Sequence, residues 1–375
     1  MINNVPNIIA QFNIQGSDFK VSPFGSGHIN DTYLVKTLGL GQDYLLQKIN
    51  NYVFKDVKGL MDNMVYITHH LKQKVAATGN PDKEVLTFIN CKNGKYYYKD
   101  DDDNYWRMTC FLQNTKSYDM VTTGKQAQQG GIAFGRFQYL LCDMKPDLLV
   151  EVIPDFLNIE HRLAQLTNAI KNDKVGRLKE VLPELQFIKS RADDMKLLLQ
   201  WGREGILPLR VTHNDTKFNN ILLDEHGNIQ CVIDLDTVMP GYVAYDFGDA
   251  IRSIINTAAE DEADLGTILL DIPLFKKFTR GYLSQTFSFL TGNELKSLMK
   301  GILLLPYMQA VRFLTDYLDG DVYYKTRFAG HNLQRTLAQM QLLKMLELHE
   351  DKLTGIIEKE WLLLSNNRQS DGAAL

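Results

Sequence analysis

His213, Asp215, Lys217 and Asn220 fall within one polar loop, and Asp234 and Asp236 follow after two short apolar runs. Those runs are Ile221–Leu223 and Cys231–Ile233, with a turn containing Gly227 between them. Two apolar runs about a short glycine turn read as a β-hairpin, and a hairpin brings its two ends together. The polar residues sit at those ends. A carboxylate, a cation, an amide and a second carboxylate converging at one edge are enough for metal-assisted phosphoryl transfer, where catalysis is positioning plus stabilisation of charge.

Such a site needs elements that hold a nucleotide and an acceptor. Apolar residues flank Gly25-Ser26-Gly27 on both sides between Phe19 and Lys36, which predicts a strand, a glycine turn and a strand. Glycines let backbone N–H groups approach phosphates closely. The short pattern alone is also that of an ordinary hairpin turn. Asp43–Asn50 reads as a third strand, with Lys48 near its end. Val57–Ala77 carries apolar residues at Leu60, Met64, Ile67 and Leu71, a helical spacing, and Asp62 on that helix is placed to pair with Lys48. Glu84–Asn90, Tyr96–Lys99 and Tyr105–Gln113 read as three further strands, with Asn93-Gly94 as a hairpin turn. The acidic run between Lys99 and Asn104 lacks the glycine and distal glutamate of a calcium loop and reads as a solvated turn.

Past residue 112 the pattern turns helical. The expected helices are Gly124–Met144, Asn158–Ile170, Arg177–Trp201 with Pro183 early in it, Ala250–Ala259, Pro273–Phe289, Asn293–Asp319 with a kink at Pro306, and Phe328–His349. Asn366–Leu375 reads as disordered. A chain of 375 residues exceeds one ordinary core, so two units are expected, 1–112 and 113–375. The composition is 45% hydrophobic and 23% charged, that of a soluble globular protein. A net charge of −4 gives no global attraction to nucleic acid or an anionic membrane. Cys91, Cys110, Cys142 and Cys231 are far apart with no C-x-x-C pair, which fits buried free thiols in a reducing cytoplasm rather than a zinc site or disulfide framework. The first residues show no basic leader, and no apolar run approaches the roughly 20 residues of a transmembrane helix.

The order of these parts resembles the protein-kinase-like fold, and within it the small-molecule branch of aminoglycoside, choline and homoserine kinases. His213-Asn-Asp-Thr-Lys-Phe-Asn-Asn220 fits the pattern H-x-D-x-x-x-x-N, and Ile233-Asp234 with Asp236, followed by Tyr245-Asp246, fits the later motifs of the aminoglycoside phosphotransferase group. The resemblance implies an α+β bilobal fold: a small antiparallel-sheet N-lobe with one helix, and a larger, mainly helical C-lobe. It implies ATP and Mg²⁺. Gly25, Ser26 and Gly27 would then cradle phosphates, and Lys48 would hold them with Asp62 as its partner, although a glutamate is usual on that helix. Asp215 is implied as the base, Lys217 as a charge-neutralising cation, and Asn220 and Asp234 as oxygen ligands of Mg²⁺. His213 and Asp246 would brace the loop. Asp236 would serve a second metal or orient the groups around the first.

The phrases Tyr44-Leu-Leu-Gln-Lys-Ile-Asn50, Tyr105-Trp-Arg-Met108, Ala133-Phe-Gly-Arg-Phe137, Ile233-Asp-Leu-Asp-Thr-Val-Met-Pro-Gly241 and Val311-Arg-Phe-Leu-Thr-Asp-Tyr-Leu318 are similar to those of N-acetylhexosamine 1-kinases. Those enzymes use ATP to phosphorylate the anomeric hydroxyl of N-acetylglucosamine or N-acetylgalactosamine. The similarity implies an amino-sugar acceptor touched by His28, Arg312, Tyr317 and Tyr323, since Arg and Tyr suit hydroxyls and an acetyl carbonyl. Choline, homoserine and aminoglycoside kinases stand as alternatives, as does a non-catalytic pseudokinase. The intact Lys48, Asp215, Asn220 and Asp234 argue against the last. The short run from Asp236 to Tyr245-Asp246, with no Ala-Pro-Glu, argues against a protein kinase.

Overall fold

Alternation of apolar residues along residues 19–110 produces a six-stranded antiparallel sheet in a computed structural model that describes residues 5–16, 18–25 and 29–372, with side chains to residue 366. Ser26, Gly27 and His28 lie outside the described residues. The strands are β1 Phe19–Pro23, β2 Asp31–Thr37, β3 Tyr44–Ile49, β4 Phe88–Ile89, β5 Tyr98–Lys99 and β6 Tyr105–Cys110. Their order is β1-β2-β3-β6-β4, and β5 also pairs with β6. The strand expected at Glu84–Asn90 is shorter because Asn80 caps a helical turn at Pro81–Glu84, accepting from Asp82 N at 3.1 Å.

The two faces of the sheet have different partners. Tyr44 and Leu46 of β3 and Trp106 and Met108 of β6 pack outward against Val5, Ile8 and Phe12, where Val5–Ile9 forms a short helix. Ile49, one position out of phase, packs inward against the helix Val57–Val75. That helix starts at Asp56, which accepts from Gly59 N at 2.8 Å, and it buries Leu60, Met64, Ile67 and Leu71. Asn63 ties it to the helical lobe by donating to Val150 O at 2.8 Å and accepting from Val150 N at 3.0 Å. The apolar cluster beneath it continues through Phe137, Val211, Leu235 and Met239, so the two lobes share a core at their junction.

The second lobe is built on the helices Gly124–Leu141, Ile159–Asn172, Ile272–Thr286, Gly292–Asp319, His331–Leu348 and Glu350–Gly372. Reciprocal caps start two of them, Thr123 with Gln126 and Thr291 with Glu294. The single helix expected over Arg177–Trp201 is instead broken into Leu178–Val181, Leu182–Lys189, Ala192–Met195 and Leu197–Arg203. Pro183 sits in the first turn of the second piece, where its missing N–H costs nothing. The helix expected at Ala250–Ala259 is Val243–Ile254; it stops because Asn256 bridges to Leu270 and Asp271 N donates to Ile255 O at 2.9 Å. It crosses the long helix at Gly248 and Gly301, where a Cβ on either residue would collide with the other helix's backbone. Pro306 lies inside the long helix, which runs on to Asp319. The expected disorder from Asn366 is a correction: the last helix continues to Gly372, held through Glu360 to Arg280 at 2.9 Å and Trp361 against Phe287.

Five short strands organise the site: β7 Thr115–Lys116, β8 Arg210–Thr212, β9 Ile221–Asp224, β10 Ile229–Val232 and β11 Met239–Gly241. β9 and β10 form the expected hairpin, β7 adds to β9, and β8 pairs with β11. Among the described residues no helix is long and apolar enough to cross a membrane. The four cysteines are free, and burial pushes the Cys91 thiol up to about 11 and that of Cys231 up to about 12.

Candidate active site

The polar loop runs from the end of β8 to the start of β9, and buried groups hold nearly every residue of it. Asp246, on the helix Val243–Ile254, accepts from His213 N at 2.8 Å, from Asn214 N at 2.7 Å and from Gln138 Nε2. Burial raises its pKa, and those donors offset part of the rise. Thr216 Oγ1 donates to the Asp246 carbonyl at 2.6 Å. Asn214 adopts a left-handed backbone, φ 63°, and its amide donates to Thr212 O and Thr237 O. An Asn tolerates that conformation at low cost. His213 is wholly buried, edge-on to Phe134 and Phe137. Its Nε2 donates to Ile233 O at 2.9 Å, and its Nδ1 accepts from Asp215 N at 3.3 Å. Both ring nitrogens are therefore spent on the loop itself, and His213 spans the hairpin ends.

Asp215 emerges from this scaffold half-buried. Lys217 Nζ lies 2.9 Å from its Oδ1, and Asn220 Nδ2 donates to its Oδ2 at 3.1 Å and to its carbonyl at 2.8 Å. Burial pushes the Asp215 pKa up, but the Lys217 charge and hydrogen bond, together with His213 and Asn220, outweigh it and leave the carboxyl below its ordinary value. The Asp215 charge in turn raises Lys217, helped by Asp249 and Glu260. Ile233 N donates to Asn220 O at 2.9 Å, which sets Asn220 beside the strand end that carries Asp234.

Asp234 has a left-handed backbone, φ 59° and ψ 57°, and its side chain is exposed. An aspartate, like an asparagine, tolerates that conformation at low cost. Enclosure by protein, then the charges of Asp236 and Asp215, raise its pKa, an effect dampened by the solvent that reaches it. Its carboxylate makes no hydrogen bond among the described residues, so its oxygens are free to face a cation. No group of three or more His, Cys, Asp or Glu there could hold a metal by itself. Mg²⁺ does not require one, since it is held by one or two protein oxygens, water and substrate phosphates. The free Asp234 carboxylate and the Asn220 amide oxygen fit that mode.

On the sheet side the expected pair Lys48–Asp62 does not form. Lys48 shares the outward face of β3 with Tyr44 and Leu46, and Asp62 pairs with Lys58 at 2.5 Å on the exposed side of its helix. The inward cation is Arg107 of β6. It donates from Nε to Gln47 Oε1 at 2.9 Å, from NH2 to Asp236 Oδ2 at 3.0 Å and from NH1 to Asp236 Oδ1. Asp236 also accepts from Asn30 Nδ2 at 2.6 Å. Sequence reasoning passed over Arg107; the signal was an arginine in phase with inward-facing residues of a buried strand.

Beyond Lys217 a polar wall leads toward the expected acceptor residues. Arg252 is buried between Asp249, 2.9 Å away, and Glu260, 2.7 Å away. Asp249 Oδ2 is buried with no partner among the described residues. Arg312 lies over the rings of Phe156 and Tyr324. Burial and then the Arg312 charge lower the Arg162 pKa to about 10, so Arg162 stays charged at neutral pH. Neither Arg162 nor Arg312 has a carboxylate partner among the described residues; Arg162 donates to Phe156 O at 2.8 Å and Arg312 to Gln309 at 2.9 Å. Tyr323 is exposed and stands edge-on to Tyr324. The buried Asp316 holds this segment, accepting from Val322 N at 2.9 Å, Tyr323 N at 2.8 Å, Tyr324 N at 3.0 Å and Asn332 Nδ2 at 2.8 Å. Tyr317 does not join it: its ring is buried beneath Arg177 and its hydroxyl donates to Glu180 at 2.7 Å. His28 falls outside the described residues, as do Ser26 and Gly27, while Gly25 has φ 76°.

A small antiparallel sheet with one inward helix, set on a helical lobe whose hairpin carries this loop, is the protein-kinase-like architecture. The sequence pattern of the phosphotransferase enzyme family (APH) matches residues 20–270, and the chain belongs to that family. Solved structures share its fold at low identity. A microcompartment-associated aminopropanol kinase matches with TM-score 0.61 and 13% identity over 94% of this chain and 99% of that one. The choline kinase from Cryptosporidium parvum matches at 0.58 and 15% over 96% and 100%. A spectinomycin phosphotransferase solved with ADP and spectinomycin matches at 0.56 and 12% over 92% and 98%.

Proposed function

We propose that the protein transfers the terminal phosphoryl group of ATP to the anomeric hydroxyl of an N-acetylhexosamine, giving the sugar 1-phosphate. The observation that carries phosphoryl transfer is the Asp215 carboxylate, held ionised between Lys217 and Asn220 beside the free Asp234 carboxylate. Asp215 orients the acceptor hydroxyl and takes its proton as the phosphoryl group arrives. Lys217 sits where negative charge develops and offsets it. Asn220 and Asp234 would hold Mg²⁺, which would supply positive charge against the phosphates. His213 acts by holding the loop in register with Ile233, a positioning role, because both its nitrogens are already used.

The acceptor reading rests on the family-like phrases and on charge. Arg162 and Arg312 bring positive charge, without carboxylate partners among the described residues, to the side where Tyr323 and Tyr324 stand. Guanidinium and phenol groups suit the hydroxyls and acetyl carbonyl of an uncharged sugar. The same charges disfavour the ammonium groups of choline or an aminoglycoside. Arg312 and Tyr323 are retained as acceptor contacts, joined by Arg162 and Tyr324; Tyr317 is not.

The test is Asp215→Asn. Removal of a positioned base costs ~10²–10⁴ in rate, so turnover should fall by at least that much while Mg·ADP binding survives. Near-normal turnover would refute the role of the loop.

A further inference from the structure

We infer that Arg107 and Asp236, joined by Asn30, form a strut that positions the phosphate side of the site, in the place expected of Lys48 and Asp62. The inference rests on the phosphoryl-transfer reading and deepens it.

β3 and β6 are in register with Gln47 opposite Arg107 and Lys48 opposite Trp106. Gln47 and Arg107 therefore share one face, and Lys48 and Trp106 the other. Trp106 packs in the outer cluster with Phe12 and Cys91. The inward face thus carries a guanidinium at the centre of the sheet, and the strand lysine cannot reach the same side without leaving its register.

The Arg107 and Asp236 side chains are each only 4% exposed. Every Arg107 nitrogen is engaged: Nε with Gln47, NH2 with Asp236, and NH1 with both Asp236 and Met64 Sδ, the latter at 3.1 Å on the helix Val57–Val75. Both Asp236 oxygens are taken, Oδ1 by Arg107 and Oδ2 by Arg107 and Asn30. Asn30 stands directly before β2, at the far end of the glycine turn. It also accepts from Asn50 N at 2.9 Å, and Asn50 Nδ2 donates to Ile29 O at 3.2 Å. One guanidinium–carboxylate pair thus ties together the sheet, its helix, Asn30 ahead of β2 and the C-lobe turn Leu235–Thr237.

Chemistry follows from this arrangement. Asp236 lies two residues beyond Asp234, and with Asp215 the three carboxylates crowd one region. A bidentate guanidinium neutralises Asp236 and consumes its oxygens. Asp236 is then a positioning residue and not a second metal ligand, and Asp234 keeps the only free carboxylate of the two. Because the strut grips both Asn30, directly before β2, and the segment after Asp234, it fixes the inward face of the sheet relative to the carboxylate that would meet the cation.

Two variants test this. Breaking a buried pair at one partner strands a charge, whereas replacing both partners by apolar residues is often tolerated. The double variant Arg107→Met with Asp236→Leu should therefore keep a melting temperature near that of the wild type. It should bind Mg·ADP at least about tenfold more weakly by calorimetry, with KM for ATP raised and KM for the acceptor unchanged. Asn30→Ala removes one half-exposed amide and should weaken Mg·ADP binding about threefold or more; it decides alone if the double variant does not fold. Wild-type affinity for Mg·ADP in Asn30→Ala, or in a folded double variant, would overturn the strut. A wild-type protein that binds no Mg·ADP would overturn the phosphoryl-transfer reading and the strut with it.

Discussion

Asp316→Asn is the sharpest test of how the acceptor side is built. Asp316 is 4% exposed and its two oxygens accept four hydrogen bonds, three of them from the consecutive N–H groups of Val322, Tyr323 and Tyr324. Asparagine keeps the shape and one acceptor oxygen. Its NH₂ must then face two donors, either Val322 N and Tyr323 N or Tyr324 N and Asn332 Nδ2. A bond to a charged group is worth about 1.5–3 kcal/mol, so losing two, with donors left facing a donor, costs ~3–6 kcal/mol. That loss falls on the segment that presents Tyr323 and Tyr324. If as little as about 1.4 kcal/mol of it appears in acceptor binding, KM for the acceptor rises about tenfold. KM for ATP should stay within about twofold, because the same contacts do not reach Asn220 or Asp234. Steady-state rates with ADP detection, varying each substrate in turn, give both constants, and a melting curve confirms a folded variant. Equal rises in both KM values, or no rise for the acceptor, would show that the Asp316 segment does not shape the acceptor site.

Other expectations follow from the same contacts. Lys217→Met removes the charge that holds the Asp215 pKa down, so burial dominates and the pKa rises; the ionised base is then lost at higher pH, and the acid limb of kcat/KM should move up. The sign can be checked directly: an acid limb that stays put or moves down would mean the limb does not report Asp215. Tyr317→Phe deletes the bond to the Glu180 carboxylate, worth about 1.5–3 kcal/mol of stability, and should leave acceptor KM unchanged; a tenfold rise would return Tyr317 to the acceptor site.

The parts of this site that were legible in the sequence are those set by local rules. The spacing of His213, Asp215 and Asn220, the glycine turn of the hairpin and the apolar phase of Val57–Val75 each depend on neighbours a few residues away. The bracing of the loop by Asp246 was legible for the same reason, as part of a short motif. What escaped depends on register and on long-range pairing. Lys48 and Gln47 are adjacent in sequence, and a one-residue phase decides which of them faces the site. No local pattern places Arg107 against Asp236, 129 residues away. Tyr317 and Tyr323 looked equivalent as aromatic residues near one helix end, yet Glu180 captures the first and Asp316 presents the second. The helical continuation past Asn366 was hidden because its polar composition resembles a tail, while Trp361 and Glu360 anchor the turns before it.

The central claim is tested most directly by the product formed with Mg·ATP and a panel of acceptors: N-acetylglucosamine, N-acetylgalactosamine, choline, homoserine and an aminoglycoside. Turnover of at least one N-acetylhexosamine is expected, with the phosphorus coupled to the anomeric proton in the NMR spectrum of the product. Turnover of choline, homoserine or the aminoglycoside without the sugars, or phosphorylation at another sugar hydroxyl, would contradict it.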